Sequence, residues 1–530
     1  MPGVSSFRSI LLRTAPGALA GLVAAFTALT VAELVAGLAR PAAGPVTVVG
    51  GAVIDRTPAA VKDFAIRTFG ENDKAVLQLG ILAILALIAV GLGVLSLSHR
   101  RSGATGVLLF GAVGAAAALS RPDSTGIGDA LPSIVGAVAG ALSLYVLAPK
   151  AALVPARSGA GGQGGTGVWS RRGFLAAAGA TAMAAASAGA LGRYFTARYS
   201  QGAVVSRDNL VLPKPSSPAS VVPAGAQLKV PGITSFTTPN RDFYRVDTAL
   251  SVPKVDADTW RLRIHGKGVA RPRTYTLDQL LARPLIERDI TLTCVSNEVG
   301  GPYIGNARWL GAPLADLLRE AGVRPPSKGG TADQLVARSV DGMTLGSPVE
   351  DVMDGRDAML AVGMNGEPLP FDHGFPVRML VPGLYGYVSA CKWIEDIELT
   401  TFDAYDPYWV KRKWARRAPI KTQARIDTPK PFARPAAGTV TVAGVAWAQR
   451  RGITRVEVRI DDGPWRDADL ATQAGVDTWR QWSYRWQATP GGHTITVRAT
   501  DGTGSAQTEQ RTRTIPDGAS GWHSVFVTVP

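Results

Sequence analysis

Three stretches decide the fold of the central region: TWRLRIHG (residues 259–266), TLDQLLARP (276–284) and APLADLLREAG (312–322). In the first, Trp260, Leu262 and Ile264 alternate with polar residues, the period of a strand. In the second, Thr276 stands where a helix cap belongs and Pro284 where a short helix must stop. The third has helical spacing and ends in Gly322. Short strands and helices separated by Gly, Pro and Asp, without an internal repeat, predict a mixed α+β domain over about residues 225–405.

Working outward toward the C-terminus, the pattern becomes all-β. TVTVAGVAW (439–447), ITRVEVRIDDGPW (453–465), WRQWSYRWQA (479–488), GGHTITVRATDGTG (491–504) and WHSVFVTVP (522–530) alternate strictly at Val456, Val458 and Ile460, at Ile495 and Val497, and at Val525, Val527 and Val529. With DDG, PGG and DGTG turns, this predicts an antiparallel sandwich over 425–530. Residues 201–224 and 406–424 read as linkers.

Toward the N-terminus, five apolar stretches are long enough to span a bilayer: about 16–39, 76–97, 104–120, 131–148 and 173–192. The third and fifth are the weakest. Residues 1–150 therefore read as a four-helix membrane region, and 151–200 as a Gly-rich linker followed by a fifth helix. Basic residues set the orientation. Arg8 and Arg13, then His99, Arg100 and Arg101, then Lys150, Arg157, Arg171 and Arg172 mark the inner face. Everything after Phe195 is then expected outside the cytoplasm. Ser170-Arg171-Arg172-Gly173-Phe174-Leu175 matches a twin-arginine export signal, a route for folded, cofactor-loaded cargo; two arginines anchoring a helix end is the plainer alternative. GAGGQGGTG (159–167) lacks the Gly-Lys-Ser/Thr ending of a phosphate loop and reads as a linker. No span holds a histidine, which excludes a bis-histidine haem in the membrane.

The formal net charge is +15, but Lys and Arg are scattered and no nucleic-acid motif occurs, so membrane flanks and an anionic cofactor or substrate account for it. Only two cysteines occur, Cys294 and Cys391, which argues against a disulfide scaffold. There is no haem-attachment motif and no iron–sulfur cysteine cluster. Any redox chemistry in this chain then exchanges electrons with a separate partner, a cytochrome or a quinone-linked protein.

The blocks TPNRDFYRVDTA (238–249), VPKVDADTWRLRIHG (252–266), DITLTCVSN (289–297), GNARWLGAPLADLLREAG (305–322) and NGEPLPFDHGFPVRMLVPGLYGYVSACKWIEDIEL (365–399), in this order, resemble the sulfite oxidase family of molybdopterin enzymes. The resemblance implies an α+β molybdopterin-binding domain followed by an immunoglobulin-like sandwich. In the family that sandwich commonly makes a homodimer; a rigid support with no partner is the alternative. The cofactor implied is Mo-molybdopterin, with Cys294 as the metal thiolate, a soft ligand suited to this metal. His373 and Arg378 match positions that hold the pterin's phosphate, and Lys392 one that contacts the pterin. Asn240, Tyr244, Arg245, Ser339 and Ser389 match further contacts. Tyr385 and Tyr387 are expected to line the pocket, and Cys391 to be packing. The basic, aromatic stretch 405–419 borders the substrate entrance in the family; a surface linker fits it as well.

This sequence also departs from the family. Sulfite oxidases read R-N-H where it has Val246-Asp247-Thr248, and G-N-R-R where it has Ser296-Asn297-Glu298-Val299. An acidic or neutral wall near the metal is expected to repel a dianion, so sulfite is not carried over as the substrate. Arg245, Arg308 and Lys413 are candidates for an anion site built from elsewhere. The function expected is oxygen-atom transfer on a small substrate outside the membrane. Two alternatives are a sulfoxide reductase of the methionine sulfoxide type and a non-catalytic envelope assembly module.

Overall fold

The computed structural model describes residues 3–58, 61, 64, 68–69, 73–121, 123–124, 126–152 and 171–530. The glycine-rich run 159–167, Arg157 and Ser170 of the twin-arginine match lie outside the described residues. The chain divides into two compact units, Met1–Gly202 with Ala249–Ser251, and Ala203–Thr248 with Val252–Pro530.

Among the described residues, five helical stretches are long and apolar enough to cross a membrane: Thr14–Ala39, Lys74–Ser96, Arg100–Leu119, Ile127–Ala151 and Arg172–Asp208. The first two approach closely because both carry glycine at the crossing. A Cβ at Gly21 would collide with the Ala89 carbonyl, and one at Gly93 with that of Gly17. Between the first two spans Pro45, at a first helical turn, opens the helix Pro45–Arg56. One expectation is corrected. The last helix runs on to Asp208 rather than stopping near 192, since nothing before Pro213 interrupts it.

In the second unit, β1 (Arg261–Gly266), β2 (Arg273–Thr276), β3 (Ile286–Thr293), β4 (Ile304–Pro313), β5 (Gln334–Ser339), β6 (Thr344–Pro348), β7 (Met359–Met364), β8 (Glu367–Pro368), β9 (Arg378–Leu380) and β10 (Ile394–Thr400) build the α+β domain. One sheet has the order β2-β1-β10-β5-β6, and the other runs β3-β4-β7-β8 with β9 on β7. The β1–β10 pair is parallel, and the other pairs in these sheets are antiparallel. Short helices seal the core. Leu277–Leu281 starts on a capping box between Thr276 and Gln279, and Leu314–Glu320 buries Leu314, Leu317 and Leu318. Each such leucine contributes roughly 1.5–3 kcal/mol by leaving water.

The segments read as linkers are bound to this domain. Ser216 and Ser217 N–H donate to the Leu285 carbonyl, and in the second segment Tyr385 N–H donates to Ala418 and Ile420 N–H to Gly383. Their polar composition concealed backbone groups that the domain's edges satisfy.

The sandwich consists of β11 (Gln423–Thr428), β12 (Gly438–Trp447), β13 (Ile453–Ile460), β14 (Arg466–Asp467), β15 (Asp469–Leu470), β16 (Arg480–Ala488), β17 (Gly491–Asp501) and β18 (His523–Val529). Sheet β11-β12-β16-β15 and sheet β14-β13-β17-β18 enclose Val456, Val458, Trp482, Ile495, Val497, Val525 and Val527. It also clamps β3, the strand leading to Cys294. Thr291 N–H donates to the Asp477 carbonyl (2.9 Å), and its own carbonyl accepts from Gln449 Nε2 (2.9 Å). Its hydroxyl accepts from Trp479 N–H (2.8 Å) while donating to Asn306 Oδ1 (3.0 Å).

Candidate active site

Cys294 sits where β3 ends. Its N–H donates to the Tyr303 carbonyl (3.0 Å), and its carbonyl accepts from Asn297 N–H (3.0 Å), closing a turn. Asn297 Oδ1 in turn accepts from Tyr303 N–H (2.8 Å). Burial pushes the Cys294 thiol up, opposed by hydrogen bonds from Ser296 and by the Lys392 charge. Cys391 is fully buried, its thiol also pushed up by burial, and packs as expected.

Around the 3-10 turn Phe371–His373 and β9, basic side chains converge in a nearly dry setting. Arg378 is only 6% exposed, stacks 5.4 Å over the Trp309 ring and donates from Nη1 to the His373 carbonyl (3.4 Å). Its Nε has no partner. Burial lowers its pKa to about 10. His373 Nε2 lies 3.0 Å from the Asn240 carbonyl, which makes Nε2 the donor. Burial, then the Arg378 charge, lowers its pKa to about 4. Lys392 Nζ donates to Asp247 Oδ2 (2.9 Å) and the Asp372 carbonyl (3.1 Å), and burial lowers its pKa to about 8. Gly374 lets these elements meet: at φ +111° it lies where a Cβ would come within 3.0 Å of Lys392 Cα.

Tyr244 joins the two regions. It is half-buried, and its hydroxyl is pushed up by burial, then by Cys294, and opposed by Arg378. Its ring stacks on Phe243 at 5.2 Å, and Phe243 meets His373 at 5.5 Å. Arg245 pairs through Nε with Asp247 (2.8 Å). Ser339 is buried with an unpartnered hydroxyl.

Other expected contacts have side chains already committed elsewhere. The Asn240 amide donates to the Met364 carbonyl and Glu367 and accepts from Asn365, so Asn240 supports His373 through its backbone. Ser389 donates to the Leu384 and Tyr385 carbonyls. The Tyr387 hydroxyl donates to the Ala415 carbonyl (2.7 Å). Tyr387 through that hydroxyl and Tyr385 through its backbone N–H fasten the 415–421 segment.

The expected acidic wall is also altered. Asp247 is buried between Arg245 and Lys392, which together neutralise it; only Glu298 of the two acids is exposed. Arg308 is locked onto Asp289 (2.8 Å), and Lys413 is exposed beyond the turn Val410–Arg412. The sequence reading missed the functional surroundings of Trp309, Tyr303 and Asn297. Asn297 is buried with an unpartnered Nδ2, and its place three residues after Cys294 was the available signal.

Residues 249–409 match the family described as oxidoreductase molybdopterin binding domain, and residues 423–497 match the bacterial Ig domain family. The chain is 31% identical over 294 residues to mitochondrial sulfite oxidase of Rattus norvegicus, covering 48% of this chain and 53% of that protein. It is 32% identical over 292 residues to sulfite oxidase of Gallus gallus, covering 47% and 62%. The chain thus spans about half the length of the curated relatives it matches. Among solved structures, the sulfane dehydrogenase SoxCD from Paracoccus pantotrophus aligns at 25% identity with a TM-score of 0.48, over 56% of this chain and 82% of that one. The central region is therefore a molybdopterin-binding oxidoreductase domain, with Mo-molybdopterin as its cofactor. Over 47–48% of its length the chain is similar to sulfite oxidases.

The residues fit that group. A soft thiolate is held in a pinned turn, and a buried guanidinium has, among the described residues, an unsatisfied Nε and no carboxylate partner. Burying a cation this way is costly unless an anion joins it, and a pterin's phosphate supplies one.

Proposed function

We propose that this chain is a membrane-anchored, molybdenum-cofactor-dependent oxidoreductase that transfers an oxygen atom to or from a small substrate outside the cytoplasmic membrane. The observation that carries this reading is the buried Cys294 sulfur together with the uncompensated Arg378 cation, both within electrostatic reach of Tyr244. The bound cofactor supplies the two-electron redox chemistry. Cys294 holds the metal, Arg378 and His373 the phosphate, and Lys392 and Ser339 the pterin. Tyr244 excludes water between them. The sandwich braces the strand that carries the cysteine.

Sulfite is not assigned, because Val246, Thr248 and exposed Glu298 stand where a dianion pocket needs cations. A separate cytochrome or quinone-linked protein exchanges the electrons. Five spans with basic residues inside, and Arg40 bonded at 2.8 Å to both Asp123 and Asp129 at one end of the bundle, support a multi-pass topology with the catalytic domain outside.

The test is molybdenum by mass spectrometry and pterin by fluorescence, on full-length protein and on Cys294→Ser. Near-stoichiometric metal and pterin in the wild type, with metal lost from the variant, is the expected result. Neither group in protein from a cofactor-competent host refutes the reading and leaves a non-catalytic envelope module.

A further inference from the structure

The Cys294 turn is closed by a loop that the sandwich holds down. From Cys294 the chain runs out past Asn297 and returns at Tyr303. Asn297 N–H donates to the Cys294 carbonyl (3.0 Å), Cys294 N–H to the Tyr303 carbonyl (3.0 Å), and Tyr303 N–H to Asn297 Oδ1 (2.8 Å). At the far end Gly301 N–H donates to the Glu298 carbonyl (2.8 Å). These bonds join the cysteine, Glu298 and Tyr303 into one unit, so a shift at residues 300–301 is carried to the sulfur.

Two side chains of the sandwich reach that far end. Arg425, on β11 and only 8% exposed, is oriented by two of its nitrogens: Nε donates to Asp427 Oδ1 (2.7 Å) and Nη2 to Thr234 Oγ1 (2.9 Å), while Thr234 N–H donates to the other Asp427 oxygen (3.0 Å). Its third nitrogen, Nη1, donates to the Gly301 carbonyl (3.0 Å). Asp427 compensates the buried charge, so this guanidinium serves as a strut. His523, on β18, accepts from Ile426 N–H at Nδ1 (3.0 Å), which fixes the ring and leaves the proton on Nε2. That Nε2 lies against Gly300, where φ is +80° and an added Cβ would collide with it. Upstream of the cysteine the sandwich also holds β3, through Thr291. The turn is therefore gripped on both sides by groups outside the α+β domain.

We propose that Arg425 and His523 are positioning residues for the metal thiolate: from the sandwich they fix the Glu298–Tyr303 loop, and through it the Cys294 sulfur and the exposed Glu298 beside it. The inference rests on the cofactor reading above. It makes the sandwich a working part of the catalytic centre.

The experiment reads the turn with and without the metal. In full-length protein made without cofactor synthesis, the rate of iodoacetamide labelling at Cys294, separated from Cys391 by peptide mass spectrometry, reports how often the turn opens. In cofactor-loaded protein, the EPR g-values of the metal report how the sulfur is held. Arg425→Met removes the bond to Gly301 and should label about tenfold faster, as expected for the loss of one hydrogen bond from a charged donor, with shifted g-values. His523→Ala uncovers Gly300 and should change both readouts in the same direction. Val456→Ala, in the sandwich core, lowers stability without touching the strut and should match wild type in both. Wild-type labelling or unchanged g-values in Arg425→Met or His523→Ala overturns the proposal, as does a Val456→Ala protein changed as much as they are. Should Arg425→Met, with Asp427 left unpaired, fail to fold, Arg425→Lys decides. It keeps a charge for Asp427 but cannot also span to Thr234 and Gly301, so faster labelling with shifted g-values supports the proposal and wild-type behaviour overturns it. Wild type without metal or pterin overturns the cofactor reading instead, and the labelling arm still tests the grip on the turn.

Discussion

Replacing Arg378 by methionine should act in opposite directions on the empty protein and on cofactor retention. The guanidinium is buried without a carboxylate, and a pKa brought from the usual 12.5 to about 10 corresponds to about 3 kcal/mol against the charged form. Removing it also forfeits the stack on Trp309, worth roughly 0.5–2 kcal/mol, and the weak bond to the His373 carbonyl, about 0.5–1 kcal/mol. The net for Arg378→Met is a gain of roughly 1 kcal/mol in the cofactor-free protein. Once the phosphate is present the sign reverses, because a charge-assisted arginine–phosphate contact of about 1.5–3 kcal/mol is lost. The assay is thermal unfolding in detergent of protein made with and without cofactor synthesis, with pterin content measured in parallel. An empty variant clearly less stable than wild type, or a loaded variant that keeps its full pterin content, would refute the reasoning.

Thr291→Val keeps the shape of the β3 side chain but leaves Trp479 N–H and Asn306 Oδ1 buried without their partner. It should cost roughly 2–4 kcal/mol in denaturant unfolding, and a loss under 0.5 kcal/mol would show that the sandwich does not brace the cysteine strand. His373 and His523 both have folded pKa values near 4, set first by burial, against 6.5 when unfolded. The unfolded chain therefore binds more protons between these values, and stability of the cofactor-free protein should fall as pH drops from about 6.5 toward 4. Urea midpoints across that window check this, and a flat profile would contradict it. Exchanging Arg171 and Arg172 for lysines should leave the catalytic unit in the cytoplasm, read by protease protection in spheroplasts, and normal export of the pair variant would remove the twin-arginine reading.

Much of the architecture was legible before any coordinates. Strict alternation in residues 453–460 and 491–501 marks strands because side chains on a pleated ribbon alternate between core and solvent, and runs of apolar residues mark helices long and apolar enough to cross a membrane. His373, Arg378, Lys392 and Cys294 were singled out through the resemblance, and the structure gathers His373, Arg378 and Lys392 around the turn Phe371–His373. What a chain position does not encode is which neighbour consumes a side chain's hydrogen bonds. Ser389 and Ser339 look alike in sequence, yet the first spends its hydroxyl inside its own turn and the second keeps it unpartnered. Asp247 reads as an acidic wall in the sequence, yet Arg245, two positions upstream, and Lys392, 145 positions downstream, enclose it.

The sequence by itself determined the element types, the membrane-length helices and the chemical class of the site, since these follow from local periodicity and from residue identity. Only the tertiary structure decided that the apparent linkers are bound to the catalytic domain, that the sandwich grips the cysteine strand through Thr291, and that Arg378 is left as a buried cation awaiting an anion. Those are consequences of long-range packing, in which residues over a hundred positions apart, such as Thr291 and Trp479, come to satisfy or fail to satisfy one another's polar groups.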